Sequence, residues 1–427
     1  MAMLEIKDLK VHFEILKGKV KAVDGVSFNL DRGETMGLVG ESGCGKTTTA
    51  FAITRLLPYN GHVVGGEILF DNMVLARADM ATEMIELLEL SKWLPKIETL
   101  VQNKENALKA FEAKGLDESP GESEILLSQE ADFLKDIKEI LSYKEKMEPE
   151  ELKEVLQESA KGEVTGFFAD RRKRKIEREI EEKMAAIRWS QISMIFQSAM
   201  NAFNPVYRVG DQIAEALHTH QNLSKDEAKQ RVAELFDLVG LRAERIKGYP
   251  HEFSGGMRQR AMIAMALALN PKLIIADEPT TALDVIMQDR ILAEIRDLQK
   301  EMHMAMMIIT HDISVVAEVS EKIAIMYGGK LFEYGDIVSI FENSANPYTI
   351  GLTGAFPSIK GERKTLRSIP GSPPDLSNPP SGCVFHPRCR FAQDICKEKE
   401  PPTIEVTKDH HSYCHFAEEV FAGKLKV

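Results

Sequence analysis

The chain has no apolar run long enough to span a membrane. Its richest apolar stretch, residues 261–269, is far shorter than the roughly 20 residues that a transmembrane helix needs. Residues 1–7 lack the basic start and apolar centre of a signal peptide. We therefore expect a cytosolic chain that acts at a membrane only through partners.

Acidic residues outnumber basic ones, and the chain has few cysteines. The formal net charge of −12 argues against a dedicated nucleic-acid binder, which usually presents a basic face. The length of 427 residues allows two or three domains. Of five cysteines, one is Cys44 and the others lie in the last 45 residues of the chain. A clustered set in a cytosolic chain indicates a metal site more often than disulfides.

A phosphate-binding loop follows an apolar strand predicted at Thr35–Val39. Its glycines allow backbone N–H groups to surround phosphate oxygens, and a helix predicted at Lys46–Leu57 directs its positive end at the anion. Lys46 is expected to reach the β- and γ-phosphates, and Thr47 to bind Mg²⁺. The loop residues expected to bind nucleotide are Gly40, Ser42, Gly43, Cys44, Gly45, Lys46, Thr47 and Thr48.

Two carboxylates end a second apolar strand, Leu273–Asp277. Asp277 is placed to bind Mg²⁺, and Glu278 to polarise the attacking water as general base. Gln197 and His311 also follow predicted strands. Gln197 is a candidate for Mg²⁺ and for sensing the γ-phosphate, and His311 for a hydrogen bond to that phosphate.

A third motif opens a predicted helix, Met257–Leu269. Ser254, Gly255 and Gly256 combine small residues with free N–H groups at a helix N-terminus, which attracts anions. Phe13 is a candidate for stacking on adenine, with an inward-facing core aromatic as the alternative.

The remaining pattern predicts an α/β chain in which short apolar strands form a mixed sheet with helices around it. We divide it into a core part with the phosphate loop (1–77), a charged helical insert (78–183), a second core part (184–329) and a C-terminal extension (330–427). Clustered prolines predict that this extension is rich in loops.

The motifs resemble those of an ATP-binding cassette (ABC) subunit of a transporter. Residues 40–48 are similar to Walker A, residues 249–260 to the signature, Ile274–Glu278 to Walker B and residues 282–284 to the D-loop. Gln197 and His311 then correspond to the Q-loop and the switch histidine. The resemblance implies the P-loop NTPase cassette fold with a helical signature subdomain, ATP and Mg²⁺ as ligands, and a signature that reads the nucleotide held by a partner cassette.

Three further segments, residues 22–28, 346–349 and 369–374, together with the cysteine-rich tail, resemble the dipeptide/oligopeptide importer branch. That branch implies a second, unlike ATPase subunit, two transmembrane permeases and an extracellular solute-binding protein, with the cassettes on the cytoplasmic face of the membrane. Its members carry peptides, and some relatives carry oligosaccharides or nickel.

The tail spacing is Cys-x5-Cys-x6-Cys-x17-Cys. Four thiolates can hold a [4Fe–4S] cluster or a tetrahedral Zn²⁺. The absence of close Cys-x2-Cys pairs and the family resemblance favour the cluster, with zinc or free thiols as the alternatives. Four tail histidines could also be ligands, but we expect them to be solvated: His386, His410, His411 and His415. The proposed ligands are Cys383, Cys389, Cys396 and Cys414.

An alternative function is a soluble cassette ATPase that acts on DNA or chromosomes. Such proteins also insert helical segments between the phosphate loop and the signature. The acidic charge and the proline-broken insert disfavour this reading, and we expect no nucleic-acid partner. A non-catalytic scaffold is disfavoured because both Lys46 and Glu278 are present.

Overall fold

The computed structural model describes residues 2–15, 18–77, 181–197, 203–280, 285–354 and 369–425. The chain divides into one unit made of Met1–Ala78 and Lys183–Val427, and a second unit, Asp79–Glu182. The second unit lies almost wholly outside the described residues, and with it nearly all of the predicted helical insert. The four-part division made from the sequence stays a prediction.

Two sheets contain the described strands. In chain order these are β1 (Ala2–Ile15), β2 (Gly18–Asp31), β3 (Thr35–Gly40), β4 (Gly61–Phe70), β5 (Met73–Arg77), β6 (Ile192–Ile195), β7 (Leu273–Asp277), β8 (Ala305–Thr310), β9 (Lys322–Tyr327), β10 (Lys330–Asp336), β11 (Thr403–Thr407) and β12 (His410–Tyr413).

The smaller sheet has the order β2-β1-β4-β5 and is antiparallel. Its strands β1 and β2 are paired, with Leu4 opposite Leu30 and Val11 opposite Val23. These four side chains are fully buried, so the strand pair contributes them to the core.

The larger sheet has the order β11-β12-β10-β9-β3-β8-β7-β6. Strands β9, β3, β8, β7 and β6 are parallel neighbours, whereas β10, β12 and β11 are antiparallel additions. The predicted mixed sheet is thereby confirmed. Because parallel strands end at one edge, the segments after β3, β6, β7 and β8 meet there, and such an edge is where open α/β sheets bind ligands.

The described helices flank this sheet. They are α1 (Lys46–Thr54), α2 (Val209–Gln221), α3 (Lys225–Leu238), α4 (Gly255–Leu267), α5 (Val285–Met302), α6 (Ile313–Val319), α7 (Ile337–Glu342), α8 (Pro347–Thr353), α9 (Asp394–Glu398) and α10 (Ala417–Phe421).

Helix α3 begins at a capping box: the Ser224 side chain accepts from the backbone N–H of Glu227, and the Glu227 carboxylate accepts from that of Ser224. Helices α2, α3 and α4 share one hydrophobic core with β6–β8 and α5, including Phe236 and Leu267. Helix α6 packs directly on β3, since a Cβ added at Gly37 would lie 2.0 Å from a methyl group of Val316.

The C-terminal tail is more regular than its prolines predict. It contributes α9, α10 and the strand pair β11–β12, and β12 joins the main sheet through β10. A second hydrophobic core joins the tail to the cassette, where Tyr327, Phe332 and Tyr348 pack around Phe385.

One tail histidine contradicts the prediction that all of them are solvated. His410 is 1% exposed, and its Nε2 lies 2.8 Å from Oε1 of Glu333, a carboxylate that is also buried. The backbone N–H of Ala345 and the hydroxyl of Ser344 donate to the same carboxylate. His410 is buried because its strand, β12, lies beside β10 in the sheet. Residue spacing in the sequence did not indicate its pairing with Glu333.

Candidate functional site

The phosphate loop follows β3 directly and ends at the first turn of α1. Gly45 precedes the helix with φ 105°, and a Cβ at this position would lie 2.3 Å from the carbonyl oxygen of Ala22. Both observations require glycine. Lys46 is 7% exposed, and its Nζ donates to the carbonyl oxygens of Gly40 (2.7 Å) and Glu41 (2.9 Å). The loop is thus curled around the lysine that is expected to bind phosphate.

Thr47 and Asp277 meet beside this loop. Thr47 Oγ1 donates to Asp277 Oδ2 over 2.9 Å, and Asp277 is 2% exposed. Burial raises the pKa of the Asp277 carboxyl, and the nearby Glu278 adds to the rise, while the Thr47 hydrogen bond opposes it. A hydroxyl and a carboxylate at this distance form a suitable pair of oxygen ligands for Mg²⁺.

The Glu278 carboxylate lies between the side chains of Gln197 and His311. Gln197 Nε2 donates to Oε2 over 2.7 Å, and His311 Nδ1 lies 3.1 Å from Oε1. The backbone of Glu278 has φ 47°, a region that residues other than glycine seldom adopt. Its N–H donates to the carbonyl oxygen of Ile309 on β8, which holds this conformation.

A cavity of about 500 Å³ opens between these groups. Its lining consists of Gly40, Glu41, Ser42, Glu278, His311 and Leu352. Leu352 belongs to α8 in the C-terminal extension, and sequence reasoning did not connect that helix with the site.

The signature residues do not line this cavity. Ser254 caps α4 by accepting from the backbone N–H of Met257, and a Cβ added at Gly255 would meet no atom within 4 Å. Gly256 is half-buried in the first turn of α4. This helix N-terminus is open. Its contact with the nucleotide of a partner cassette stays a prediction.

Thr48 and Phe13 are not among the residues that line this cavity. Thr48 is half-buried in the first turn of α1. Phe13 is half-buried in β1 opposite Gly61, and its contact with adenine stays a prediction. The D-loop, residues 282–284, lies outside the described residues.

Sequence reasoning also missed a contact between the tail and the phosphate loop. The Arg388 guanidinium forms two hydrogen bonds to the Glu41 carboxylate, at 2.8 and 3.0 Å. Because 347 positions separate the two residues, no local pattern could have revealed the pair.

The four tail cysteines line one small enclosed cavity, of about 20 Å³, together with aromatic residues. Burial raises the pKa values of Cys383 and Cys414 to about 12 and also raises that of Cys389. Yet no three or more His, Cys, Asp or Glu side chains in the described ranges are grouped so that they could hold one metal ion. The predicted metal site is therefore not supported. Cys44, in contrast, is buried in the phosphate loop, and burial raises the pKa of its thiol.

Comparison with protein families gives two matches. The family described as "ABC transporter" matches residues 23–166 and 156–281, more than half of the chain. The family described as "Oligopeptide/dipeptide transporter, C-terminal region" matches residues 332–396, which include three of the tail cysteines.

Curated relatives extend over nearly the whole chain. The oligopeptide transport ATP-binding protein OppD of Bacillus subtilis is 36% identical over 413 residues, 96% of this chain and 87% of its own length. OppD of Escherichia coli is 36% identical over 415 residues, 97% of this chain and 93% of its own length. The dipeptide transport ATP-binding protein DppD of B. subtilis is also 36% identical, over 96% of this chain and 93% of its own length.

Among solved structures, the dimeric ATP-binding cassette MJ0796, in a post-hydrolysis state bound to ADP and Pi, matches with a TM-score of 0.50 at 20% identity. The match covers 78% of this chain and 99% of that one, and at this identity it shows the fold alone. Family matches, relatives and fold agree with the motifs brought together at the sheet edge. The chain therefore belongs to the ABC transporter family, in its branch of oligopeptide and dipeptide transport ATP-binding proteins.

Proposed function

We propose that this chain is the ATP-hydrolysing subunit of a membrane importer of oligopeptides or dipeptides. One observation carries the proposal: the Glu278 carboxylate is held between Gln197 and His311 at the mouth of the phosphate-loop cavity. Such a constellation supplies a general base, groups that orient it, and a phosphate cradle within one site.

Each residue has a separate role in hydrolysis. Lys46 exchanges its two backbone carbonyl partners for the β- and γ-phosphate oxygens when nucleotide binds. Glu278 accepts a proton from the attacking water. Gln197 and His311 keep the Glu278 carboxylate oriented, and His311 is 67% exposed on its side chain, so it is accessible to the γ-phosphate.

The site also fits Mg²⁺, with Thr47, Asp277 and Gln197 as its proposed ligands. The ion supplies charge neutralisation at the phosphate oxygens. Ionisation of Asp277 is a precondition for this role, because a protonated carboxyl is a poor ligand for a cation. The Thr47 hydroxyl already faces the carboxylate and so keeps the two ligands together before binding.

Two cassettes complete each nucleotide site. The open N-terminus of α4, with Ser254, Gly255 and Gly256, offers backbone N–H groups and a positive helix end to an anion. In the proposed dimer these groups bind the γ-phosphate held by the partner cassette. Hydrolysis removes that phosphate and its contacts, so the dimer reopens, and the motion passes to the permeases near Gln197.

The importer assembly includes a second ATPase subunit, two permeases and an extracellular solute-binding protein, with this chain peripheral at the cytoplasmic face of the membrane. The described helices include none that is both long and apolar enough to cross a bilayer. Since the relatives reported above are transport proteins, they give no support to the alternative of an ATPase that acts on DNA.

Nucleotide binding by the purified chain tests the first step. Lys46→Ala should abolish productive binding of MgATP, because no other group replaces its charge in the loop. Lys225→Ala is a matched control. Lys225 is also the first residue of a helix, but it is exposed and lies outside the phosphate loop. Equal binding by wild type and Lys46→Ala would refute the phosphate role. ATP-dependent peptide uptake by vesicles that contain the whole importer tests the transport step.

The four tail cysteines are proposed as the ligands of a [4Fe–4S] cluster. One observation supports the proposal: all four cysteines line the same cavity. Around one zinc ion each thiolate would lie about 2.3 Å from the metal. In a cluster each cysteine binds a different iron, so the sulfur atoms lie farther apart.

Anaerobic purification followed by iron and sulfide analysis tests this proposal. Cys389→Ser should lose iron, whereas Cys44→Ser should retain it, since Cys44 lies in the phosphate loop. Stoichiometric zinc without iron would establish the alternative, and a chain free of both metals would refute a metal site.

A further inference from the structure

Arg388 in the C-terminal tail holds the phosphate loop of the cassette. Its Nη1 donates to Glu41 Oε2 over 2.8 Å, and its Nη2 donates to Glu41 Oε1 over 3.0 Å. The Arg388 side chain is 8% exposed and that of Glu41 is 24% exposed. Two parallel bonds from one guanidinium to one carboxylate fix both distance and orientation.

Further contacts prevent the guanidinium from moving. Its Nε donates to the carbonyl oxygen of Pro370 over 2.7 Å, and its Nη1 also donates to the hydroxyl of Tyr327 over 3.1 Å. The guanidinium carbon lies 5.5 Å from the centre of the Tyr327 ring, within range for a cation–π contact. Arg388 is thus anchored to the sheet, unlike a surface residue whose ion pair contributes little.

Glu41 connects this anchor to the nucleotide site. It is the second residue of the phosphate loop, it lines the cavity, and its backbone carbonyl accepts from Lys46 Nζ. An uncompensated carboxylate at this position would repel the negative charges of a polyphosphate. The Arg388 guanidinium offsets that charge and fixes the backbone from which Lys46 must move to bind phosphate.

We propose that Arg388 is a positioning residue of the nucleotide site, so that the affinity of this cassette for ATP depends on its C-terminal tail. The inference rests on the proposed binding of ATP and adds to it a residue from outside the cassette motifs. Arg388 does not touch the nucleotide in this scheme. It acts through the position and the charge of Glu41.

A charge-deletion pair tests the inference. Arg388→Gln should raise both the Kd for MgATP and the KM by roughly tenfold, with a smaller effect on kcat, because the carboxylate is left without its partner. Arg388→Lys should fall between wild type and Arg388→Gln, since an ammonium cannot form the two parallel bonds. The double variant Glu41→Gln/Arg388→Gln should regain most of the affinity, because the repelling charge is gone.

Arg390→Gln is the matched control. Arg390 lies on the other side of Cys389 and is exposed, so the change removes a positive charge from the same loop without touching Glu41. Its Kd for MgATP should equal that of wild type. Thermal unfolding of all variants without nucleotide identifies any that fail to fold.

Three outcomes decide the matter. An unchanged Kd in folded Arg388→Gln, with Lys46→Ala still unable to bind, would overturn the inference and leave the proposed function intact. A double variant as weak as Arg388→Gln would overturn the role of charge compensation. If wild type and Lys46→Ala bound MgATP equally, the proposed function itself would fail.

Discussion

Thr47 donates a hydrogen bond of 2.9 Å to Asp277, although 230 positions separate the two residues. Thr47 lies in the first turn of α1, and Asp277 is the last residue of β7. Strand β7 ends at the carboxyl edge of the parallel strands. Helix α1 begins at the same edge, after the phosphate loop that follows β3. The pair is therefore a consequence of strand order, and it prepares two oxygen ligands for Mg²⁺ beside the loop.

The first prediction concerns pH and Asp277→Asn. Burial raises the pKa of Asp277 above its ordinary value of 3.8, so the folded chain without metal binds this proton more tightly than the unfolded chain does. The contribution of Asp277 to the free energy of unfolding therefore falls as pH rises from 3.8 through the raised pKa. Asparagine should remove this slope and weaken the stabilisation by MgATP, as thermal unfolding across pH would show.

Asp336→Asn is the control for that experiment. Asp336 caps α7 through a hydrogen bond from the backbone N–H of Ser339, and asparagine is an equally good cap. This variant should keep the pH slope and the response to MgATP of the wild type. An Asp277→Asn chain with both properties unchanged would contradict the assignment.

The second prediction concerns Glu278→Gln. Loss of the general base should slow ATP hydrolysis by roughly two to four decades, while nucleotide binding persists and the ATP-bound dimer accumulates. Single-turnover hydrolysis and size-exclusion chromatography with ATP measure the two effects. Glu342→Gln, at the exposed end of α7, should behave like wild type. Hydrolysis at the wild-type rate in Glu278→Gln would remove Glu278 from the mechanism.

The third prediction separates helix capping from recognition of the partner. Ser254 and Ser224 each accept a hydrogen bond from the backbone N–H three residues on, so each alanine variant should lose about 1 kcal/mol of stability. Only Ser254→Ala should also weaken ATP-dependent dimerisation, because Ser224 lies outside the signature. Equal dimerisation by both variants, measured by light scattering, would leave Ser254 as a cap alone.

The fourth prediction concerns the buried pair in the tail. His410→Ala should lower the free energy of unfolding by about 1–3 kcal/mol, because Glu333 loses one of its buried hydrogen-bond partners. The neighbouring His411 is half-buried on the opposite face of β12, and its replacement by alanine should cost less. Urea unfolding compares the two variants. Equal losses in the free energy of unfolding would show that the contact between His410 and Glu333 adds no stability of its own.

The predictions from sequence succeeded where local pattern and chemistry coincide. An apolar strand that runs into glycines, Lys46 and Thr47 has few alternative structures, and β3 and α1 are found close to their predicted ranges. The strands that precede Gln197, Glu278 and His311 were read from short apolar runs bounded by polar residues. Because parallel strands end at one edge, the observed strand order then brings these side chains together.

The sequence by itself thus determined the nucleotide chemistry and the cassette core. Only the tertiary structure decided how the C-terminal tail joins them: β12 extends the sheet, His410 is buried against Glu333, and Arg388 reaches Glu41 in the phosphate loop. Motifs are readable because their function needs fixed residue types at short spacings. Pairings between segments hundreds of residues apart depend on which surfaces the fold brings together, and no local periodicity records them.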